Sequence, residues 1–166
     1  MCQVVVLTEG VGREYLERCP PLENLTILSF QPYEQMPETL AGADVLIATL
    51  ESDAGQFAVP SKVLTYHCAG RPVLLAAPKA NLSTELLERS GGGIAVDSED
   101  EQAWIEAARK LALDQQFRRQ LGSQARRYAE RAFNIKTIAD SFEYLLARAC
   151  HSGTMIDSRE RLIPAA

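Results

Sequence analysis

The stretch that decides the fold reads ADVLIATL (residues 43–50), ESDAGQFAVPSK (51–62) and VLTYHCAGRPV (63–73). Its apolar first part predicts a strand and its middle part, around Gly55, predicts a loop. Its last part predicts a helix that opens at Pro60-Ser61-Lys62 and stops at Gly70. The first N–H groups of a helix lack intrahelical partners and lie at the positive end of its dipole. The segment therefore predicts a site for a phosphate-bearing ligand at the carboxyl edge of a parallel sheet.

Apolar runs alternate with helical patterns on both sides of this stretch, which indicates βαβ units. We therefore predict an α/β fold, a three-layer Rossmann-like parallel sheet of about five strands followed by C-terminal helices. The predicted strands are 4–7, 25–29, 45–50, 73–76 and 94–96. The predicted helices, besides the one at Ser61, are 13–19, 37–41, 82–89, one capped by Ser98 and Glu101, 117–121, 125–133 and 135–149.

The predicted domain covers residues 1–150, and 151–166 are expected to form a flexible tail because their periodicity is lost. The last predicted helix carries an apolar stripe that favours packing against the rest of the domain. The stripe consists of Ile135, Ile138, Phe142, Leu145 and Leu146.

Composition excludes several classes of protein. The chain has 166 residues and a formal net charge of −5, which argues against broad nucleic-acid binding. It has no apolar run near the ~20 residues of a membrane span and no basic-then-apolar leader. Its four cysteines are widely spaced and predict reduced thiols of a cytoplasmic protein, with no disulfide framework and no metal site.

An ordered series of segments resembles a known family over about residues 3–148. The segments are VVVLTEG (4–10), NLTILSFQP (24–32), PETLAGADVLI (37–47), VPSKVLTY (59–66) and CAGRPV (68–73). Together they resemble the C-terminal, donor-binding domain of retaining glycosyltransferases with the GT-B fold, the glycosyl transferases of group 1 or family 4. Within that family, Pro60-Ser61-Lys62 is similar to members that act in bacterial surface polysaccharide and amino-sugar transfer.

The resemblance implies a nucleotide-sugar-binding domain that takes part in hexosyl or amino-sugar transfer for cell-surface polysaccharide. The substrate would be a nucleotide-sugar, expected to be a UDP-sugar, with no cofactor and no metal. The implied diphosphate site is Gly55, Ser61 and Lys62. The implied sugar or ribose contacts are Glu51, Asp53, Phe57 and Thr65, and the loop on the side of the base contains Gly10 and Gly12.

Two departures from the family pattern lead us to expect an isolated chain that is incomplete for catalysis. The family's first strand–helix unit, with the Arg and Lys that hold the diphosphate, is expected to be absent, as is the N-terminal domain. Phe57 and Thr65 stand where the family has its two signature glutamates.

These departures imply a partner, either an N-terminal acceptor-binding domain or subunit, or a second copy in a homodimer. Without the missing strand, strands 4–7 and 45–50 are expected to pair directly, unless another chain fills the gap. We expect a cytoplasmic protein that reaches the inner membrane only through such a partner.

Each site residue also has a structural interpretation. Ser61 could be a plain helix cap, Lys62 a solvated lysine and Gly55 a turn residue. For Thr65, a hydroxyl bonded to its own helix is favoured, and the two loop carboxylates could be merely solvated. For the whole chain, the alternatives are a non-catalytic remnant or interaction domain and a fragment of a GT-B sugar-nucleotide epimerase. The base, the sugar and the acceptor stay open.

Overall fold

The computed structural model describes residues 2–53, 58 and 61–152, and it divides after Glu130 into two compact units. The strands are β1 (Val4–Leu7), β2 (Leu25–Leu28), β3 (Leu46–Thr49), β4 (Val73–Ala76) and β5 (Gly93–Val96). The helices are α1 (Gly10–Arg18), α2 (Met36–Ala41, after a 3-10 turn at Tyr33–Gln35), α3 (Ser61–Ala69), α4 (Leu82–Ser90), α5 (Glu101–Leu113), α6 (Gln115–Ala132) and α7 (Ile135–Ser152). The predicted α/β fold with parallel strands is confirmed.

The five strands form two sheets. β1 pairs with β2, and β3, β4 and β5 pair in that order, all in parallel. Within the described residues β1 does not pair with β3, so of the two alternatives predicted for these strands the direct pairing is wrong. β1 pairs with β2, and β3 pairs with β4. The chain that joins the two pairs passes through α2, which contacts α3.

β4 is the centre of the hydrophobic core. Its side chains alternate between the two faces of the sheet, as the strand geometry requires. Val73 and Leu75 pack with Val63 of α3 and Leu87 of α4. Leu74 packs on the other face with residues of α5 and α6, namely Ala107, Leu111 and Leu121. Each fully buried leucine or valine contributes about 1.5–3 kcal/mol, so the second sheet and its two helix layers form the stable part of the fold.

The first βαβ unit has no comparable core. None of the residues from 2 to 45 is buried. On β1, Val4 keeps 38% and Val5 keeps 49% of its surface exposed, although this apolar sequence is typical of a strand covered on both faces. β1 therefore presents both an unpaired backbone edge and uncovered apolar side chains.

Two predictions on the helices after β5 are wrong. The N-cap of α5 is Asp100, whose carboxylate accepts from the N–H of Ala103 at 2.9 Å, and Ser98 does not cap this helix. Asp97 accepts from the N–H of Glu99 at 3.2 Å, so a turn precedes the helix and delays its start. The predicted helices 117–121 and 125–133 are one continuous helix, α6. Gly122 lies within α6 and does not break it. A Cβ at this position would lie 2.5 Å from the Gly70 carbonyl oxygen, so only glycine permits the close approach of α6 to Gly70.

The second compact unit contains α7. The apolar stripe predicted to pack is largely exposed there, with Ile135 at 78%, Phe142 at 64% and Leu146 at 63%. None of the α7 side chains that the structure describes is buried. The predicted tail, 151–166, lies outside the residues whose side chains the structure describes.

Three structural findings concern the described residues as a whole. No helix among them is both long and apolar enough to cross a membrane. They contain no group of three or more His, Cys, Asp or Glu side chains that could hold a metal ion. All four cysteines are free thiols.

His67 ties α3 to the end of α4. Its side chain has no exposed surface, its Nδ1 lies 2.7 Å from the Val63 carbonyl oxygen, and its Nε2 lies 2.8 Å from the Ser90 hydroxyl. Since Nδ1 faces a carbonyl, it carries the proton of the neutral ring, and Nε2 can accept from the Ser90 hydroxyl, which also lies 3.1 Å from the Leu87 carbonyl. α4 ends directly after Ser90 at Gly91, whose φ of +61° favours glycine. Burial lowers the pKa of His67, against the raising effect of the bond to Val63.

The lowered pKa predicts that stability falls with acidification. The unfolded chain protonates His67 near its usual pKa of 6.5, and the folded chain protonates it only at lower pH, so the unfolded state binds more protons as the pH falls from 7 toward the lowered pKa. The free energy of unfolding should fall over this window, by at most about 1.4 kcal/mol per pH unit for one proton, and should level off above it. Denaturant titrations at several pH values measure this. His67→Gln should reduce the slope; an unchanged slope in this variant would contradict the assignment.

Candidate functional site

The amino end of α3 lies where the sequence predicts it, at the carboxyl edge of the second sheet. The N–H of Leu50 donates to the Ala76 carbonyl at 2.8 Å, so β3 and β4 end side by side. Ser61 and Lys62 are the first two residues of α3, and both are exposed. Val63, the next residue, has no exposed surface. A fully buried residue thus fixes a helix end whose first two side chains are exposed, and a helix amino end of this kind is suited to an anion.

Two of the predicted carboxylates lie at the same edge. Glu51 follows β3 after a single residue and Asp53 comes two residues later, and both are exposed. Carboxylates accept hydrogen bonds from hydroxyl groups but repel phosphate. This edge therefore offers acceptors for sugar or ribose hydroxyls beside a helix end for a diphosphate. Gly55 and Phe57, the other predicted residues of the loop, lie outside the described residues.

Thr65 lies one turn after Ser61 and is exposed. Its hydroxyl donates to the Ser61 carbonyl at 3.2 Å, which is the bond to its own helix that the sequence favours. A hydroxyl has one proton and two lone pairs. Thr65 in this rotamer can accept a hydrogen bond from a ribose hydroxyl but cannot donate one.

The glycines predicted on the side of the base lie at the carboxyl end of β1, in the first sheet. Gly10 begins α1 with a φ of +59°, a backbone conformation that other residues rarely adopt. A Cβ on Gly12 would lie 2.7 Å from the Thr8 hydroxyl. Glu9 accepts from the N–H of Phe30 at 3.2 Å and joins the loops that follow β1 and β2. The two predicted glycines thus lie at an edge of the first sheet, whereas Ser61 lies at an edge of the second sheet.

Asn81 is a residue of this edge that the sequence analysis missed. It has no exposed surface, it caps α4, the helix that follows β4, and its side-chain amide donates to the Ala58 carbonyl at 2.9 Å. Ala58 lies three residues before Ser61. The only sequence signal was an asparagine ahead of a helical pattern, which predicts a cap but not a contact with the loop.

A cavity of about 310 Å³ lies at the other edge of the second sheet, at the amino ends of β3 and β4. Its lining includes Arg71, Arg118 and Arg119 with Asp44. Arg71 donates to the Ala41 carbonyl at the end of α2, and Arg118 donates to the Leu111 and Ala112 carbonyls at 2.7 and 3.0 Å near the end of α5. These two arginines satisfy helix carbonyls, so we assign the cavity to the fold and not to the site at α3.

Comparisons with solved structures agree with this architecture. The chain is similar to HepE of Anabaena in complex with UDP, with 22% identity and a TM-score of 0.61 over 82% of this chain and 34% of that one. It is similar to WaaG, a glycosyltransferase involved in lipopolysaccharide biosynthesis, with 21% identity and a TM-score of 0.53 over 65% and 27% of the two chains. It is also similar to the spinosyn forosaminyltransferase SpnP, with 19% identity and a TM-score of 0.52 over 89% and 44%. At these identities the likeness shows the fold.

The chain spans less than half the length of each of these solved structures. No curated protein matches it in sequence. The family model of the glycosyl transferases group 1 matches residues 13–128, which include β2 to β5 and α3 with Ser61 and Lys62. Since this match covers well over half of the chain, the chain belongs to the glycosyl transferases group 1 family.

Proposed function

We propose that this chain is the donor-binding part of a retaining glycosyltransferase that moves a hexose or amino sugar in the synthesis of bacterial cell-surface polysaccharide. The observation that carries the proposal is the exposed pair Ser61 and Lys62 at the amino end of α3, held in place by the buried Val63. The family match and the role of WaaG in lipopolysaccharide biosynthesis support it. As part of the same proposal, the chain would belong to the subgroup of the family that Pro60-Ser61-Lys62 resembles.

The donor is proposed to be a UDP-sugar, used as a substrate without a metal or other cofactor. HepE, which has a similar fold, is solved with UDP, and this makes UDP the first nucleotide to test. Ser61 and the N–H groups of the first turn would bind phosphate oxygens, and Lys62 would supply a positive charge. Glu51 and Asp53 would accept from sugar or ribose hydroxyls, and Gly10 and Gly12 would lie toward the base.

In the transfer, the bond between the anomeric carbon and the diphosphate oxygen breaks, and the acceptor hydroxyl forms the new bond on the same face of the sugar. Negative charge grows on the leaving diphosphate. Ser61 and Lys62 stabilise that charge more strongly in the transition state than in the bound donor, which lowers the barrier. The acceptor and the group that takes its proton would come from a partner polypeptide, so the isolated chain binds the donor but does not transfer it.

We propose that this acceptor-binding partner also supplies a parallel strand between β1 and β3. Both strands have one unpaired edge within the described residues, and Ile47 on β3 keeps 46% of its surface exposed. Val4 and Val5 on β1 are also exposed, and unpaired apolar strand edges attract further strands. One strand that bridges these edges would join the two sheets and cover the first βαβ unit.

Without that partner, the edges should pair with a second copy of the chain. We expect the mass measured by light scattering to rise above 18.3 kDa as the protein concentration increases. Val5→Lys, which puts a charge at the edge, should shift this association to at least about tenfold higher concentration. Val11→Lys is the control, because Val11 is 83% exposed on α1, away from the strand edge. A chain that stays monomeric, or equal effects of the two variants, would count against an edge that accepts strands.

Binding of UDP tests the proposed function. Calorimetric titration should give saturable binding, and Ser61→Ala and Lys62→Ala should each weaken it about tenfold, the effect of losing roughly 1.4 kcal/mol. Lys136→Ala is the matched control, because Lys136 is likewise the exposed second residue of a helix, α7. Absence of binding at millimolar UDP, ADP and GDP would contradict the proposal.

Thr65 offers a gain-of-function test. The family resemblance implies a glutamate at this position that accepts from the ribose hydroxyls. Thr65 is exposed, so a glutamate fits without repacking, and glutamate is a better helix former. A charged acceptor contributes about 1.5–3 kcal/mol, so Thr65→Glu should tighten UDP binding at least about tenfold. Thr65→Val, which removes the hydroxyl, should leave it the same or weaker; an unchanged affinity in Thr65→Glu would mean that Thr65 does not face the ribose.

The second candidate function is a non-catalytic interaction domain that retains the fold. The observation that favours it is Thr65, whose hydroxyl bonds to its own helix and which replaces a signature glutamate. This candidate predicts no nucleotide binding together with strong association through the strand edges. Since both functions predict association through the strand edges, the UDP titration separates them.

A further inference from the structure

Asn81 joins two parts of the second sheet's carboxyl edge. Its side-chain oxygen caps α4 by accepting from the N–H of Ser83 at 2.9 Å, and it also accepts from the Ser83 hydroxyl. Its amide nitrogen donates to the Ala58 carbonyl at 2.9 Å, on the loop between β3 and α3. The side chain has no surface exposed to water. One residue thus serves a rigid helix and a functional loop at the same time.

The contact with Ala58 explains why asparagine occupies this position, whereas the capping of α4 does not. Serine, aspartate and asparagine cap a helix about equally well, because each supplies an oxygen acceptor. Of these, only asparagine also supplies an amide N–H donor. Burying that amide would cost about 1–3 kcal/mol if it had no partner. The Ala58 carbonyl provides a partner, so the buried amide stabilises the contact with the loop.

The backbone around Asn81 makes this anchor rigid. Its N–H donates to the Pro78 carbonyl at 2.9 Å, and its own carbonyl accepts from the N–H of Thr84 at 3.0 Å. Thr84 also bonds to Pro78 through its hydroxyl at 3.2 Å. Leu87 of the same helix lies in the core with Val63 of α3. The anchor and the helix that Ser61 begins therefore belong to one packed unit.

We propose that Asn81 is a positioning residue of the donor site: its amide fixes the Ala58 carbonyl, three residues before Ser61 at the amino end of α3. Ala58 lies three residues from Ser61, so the anchor holds the chain close in sequence to the helix end proposed to bind phosphate. A group held in place before binding costs less to order when the ligand arrives. This role rests on the proposed donor function, whereas the anchoring of the loop does not.

Asn81→Asp separates the two tasks of the side chain. The carboxylate keeps the acceptor that caps α4 and is favoured at a helix amino end, but it cannot donate to Ala58. Asn81→Ser is the second variant, because it also keeps a cap, adds no charge and lacks the amide. Asn134→Asp is the matched control: Asn134 caps α7, accepting from the N–H of Lys136 at 3.0 Å, and is exposed. Circular dichroism and the melting temperature show whether each variant folds.

Hydrogen exchange read by mass spectrometry and UDP titration then give two independent results. We expect at least about tenfold faster exchange in peptides that contain Ala58, unchanged exchange in peptides from α4, and UDP binding about tenfold weaker, the equivalent of one lost hydrogen bond. Unchanged exchange near Ala58 in both Asn81 variants would overturn the anchor. Faster exchange with unchanged UDP affinity would overturn the positioning role. If the wild-type chain does not bind UDP, the proposed function and the positioning role both fail, and the exchange data decide the anchor alone.

Discussion

The burial of β4 between two layers of helices is the constraint on which the rest of this structure depends. Val73 and Leu75 face α3 and α4, and Leu74 faces α5 and α6, so one short strand sets the positions of four helices. Because α3 is held by Val63 inside this core, its amino end cannot drift from the carboxyl edge of the sheet. The site is therefore rigid on the side of the helix.

The same constraint explains the contrast between the two sheets. The second sheet has a strand covered on both faces, whereas β1 and β2 contribute no buried residue. Within the described residues, β1 and β3 each have one unpaired edge, and Val5 is exposed. These are the features expected of a donor-binding unit that the proposed acceptor-binding partner completes. In the proposed complex, the partner that supplies the strand between β1 and β3 also brings the acceptor to the donor site.

Elements set by signals within a few residues could be predicted from the sequence. Strand β4 and the start of α3 follow from an apolar run and from a Pro-Ser-Lys opening, which are signals within a few residues. The N-cap of α5 was assigned to Ser98 because three acidic or hydroxyl residues compete there, and only the turn at Asp97 decides among them. The break between the sheets and the contact of Asn81 with Ala58 join distant parts of the chain, and no short pattern encodes them.

The central claim is that the amino end of α3 binds the diphosphate of a nucleotide. The most direct measurement is an NMR titration that follows the backbone amides of Ser61, Lys62 and Val63 with UDP and, separately, with uridine. The account predicts saturable shifts of these three amides with UDP and none with uridine at the same concentration, because the helix end recognises phosphate. Shifts that are absent there, or that fall instead on the cavity of Arg71 and Arg118, would contradict it.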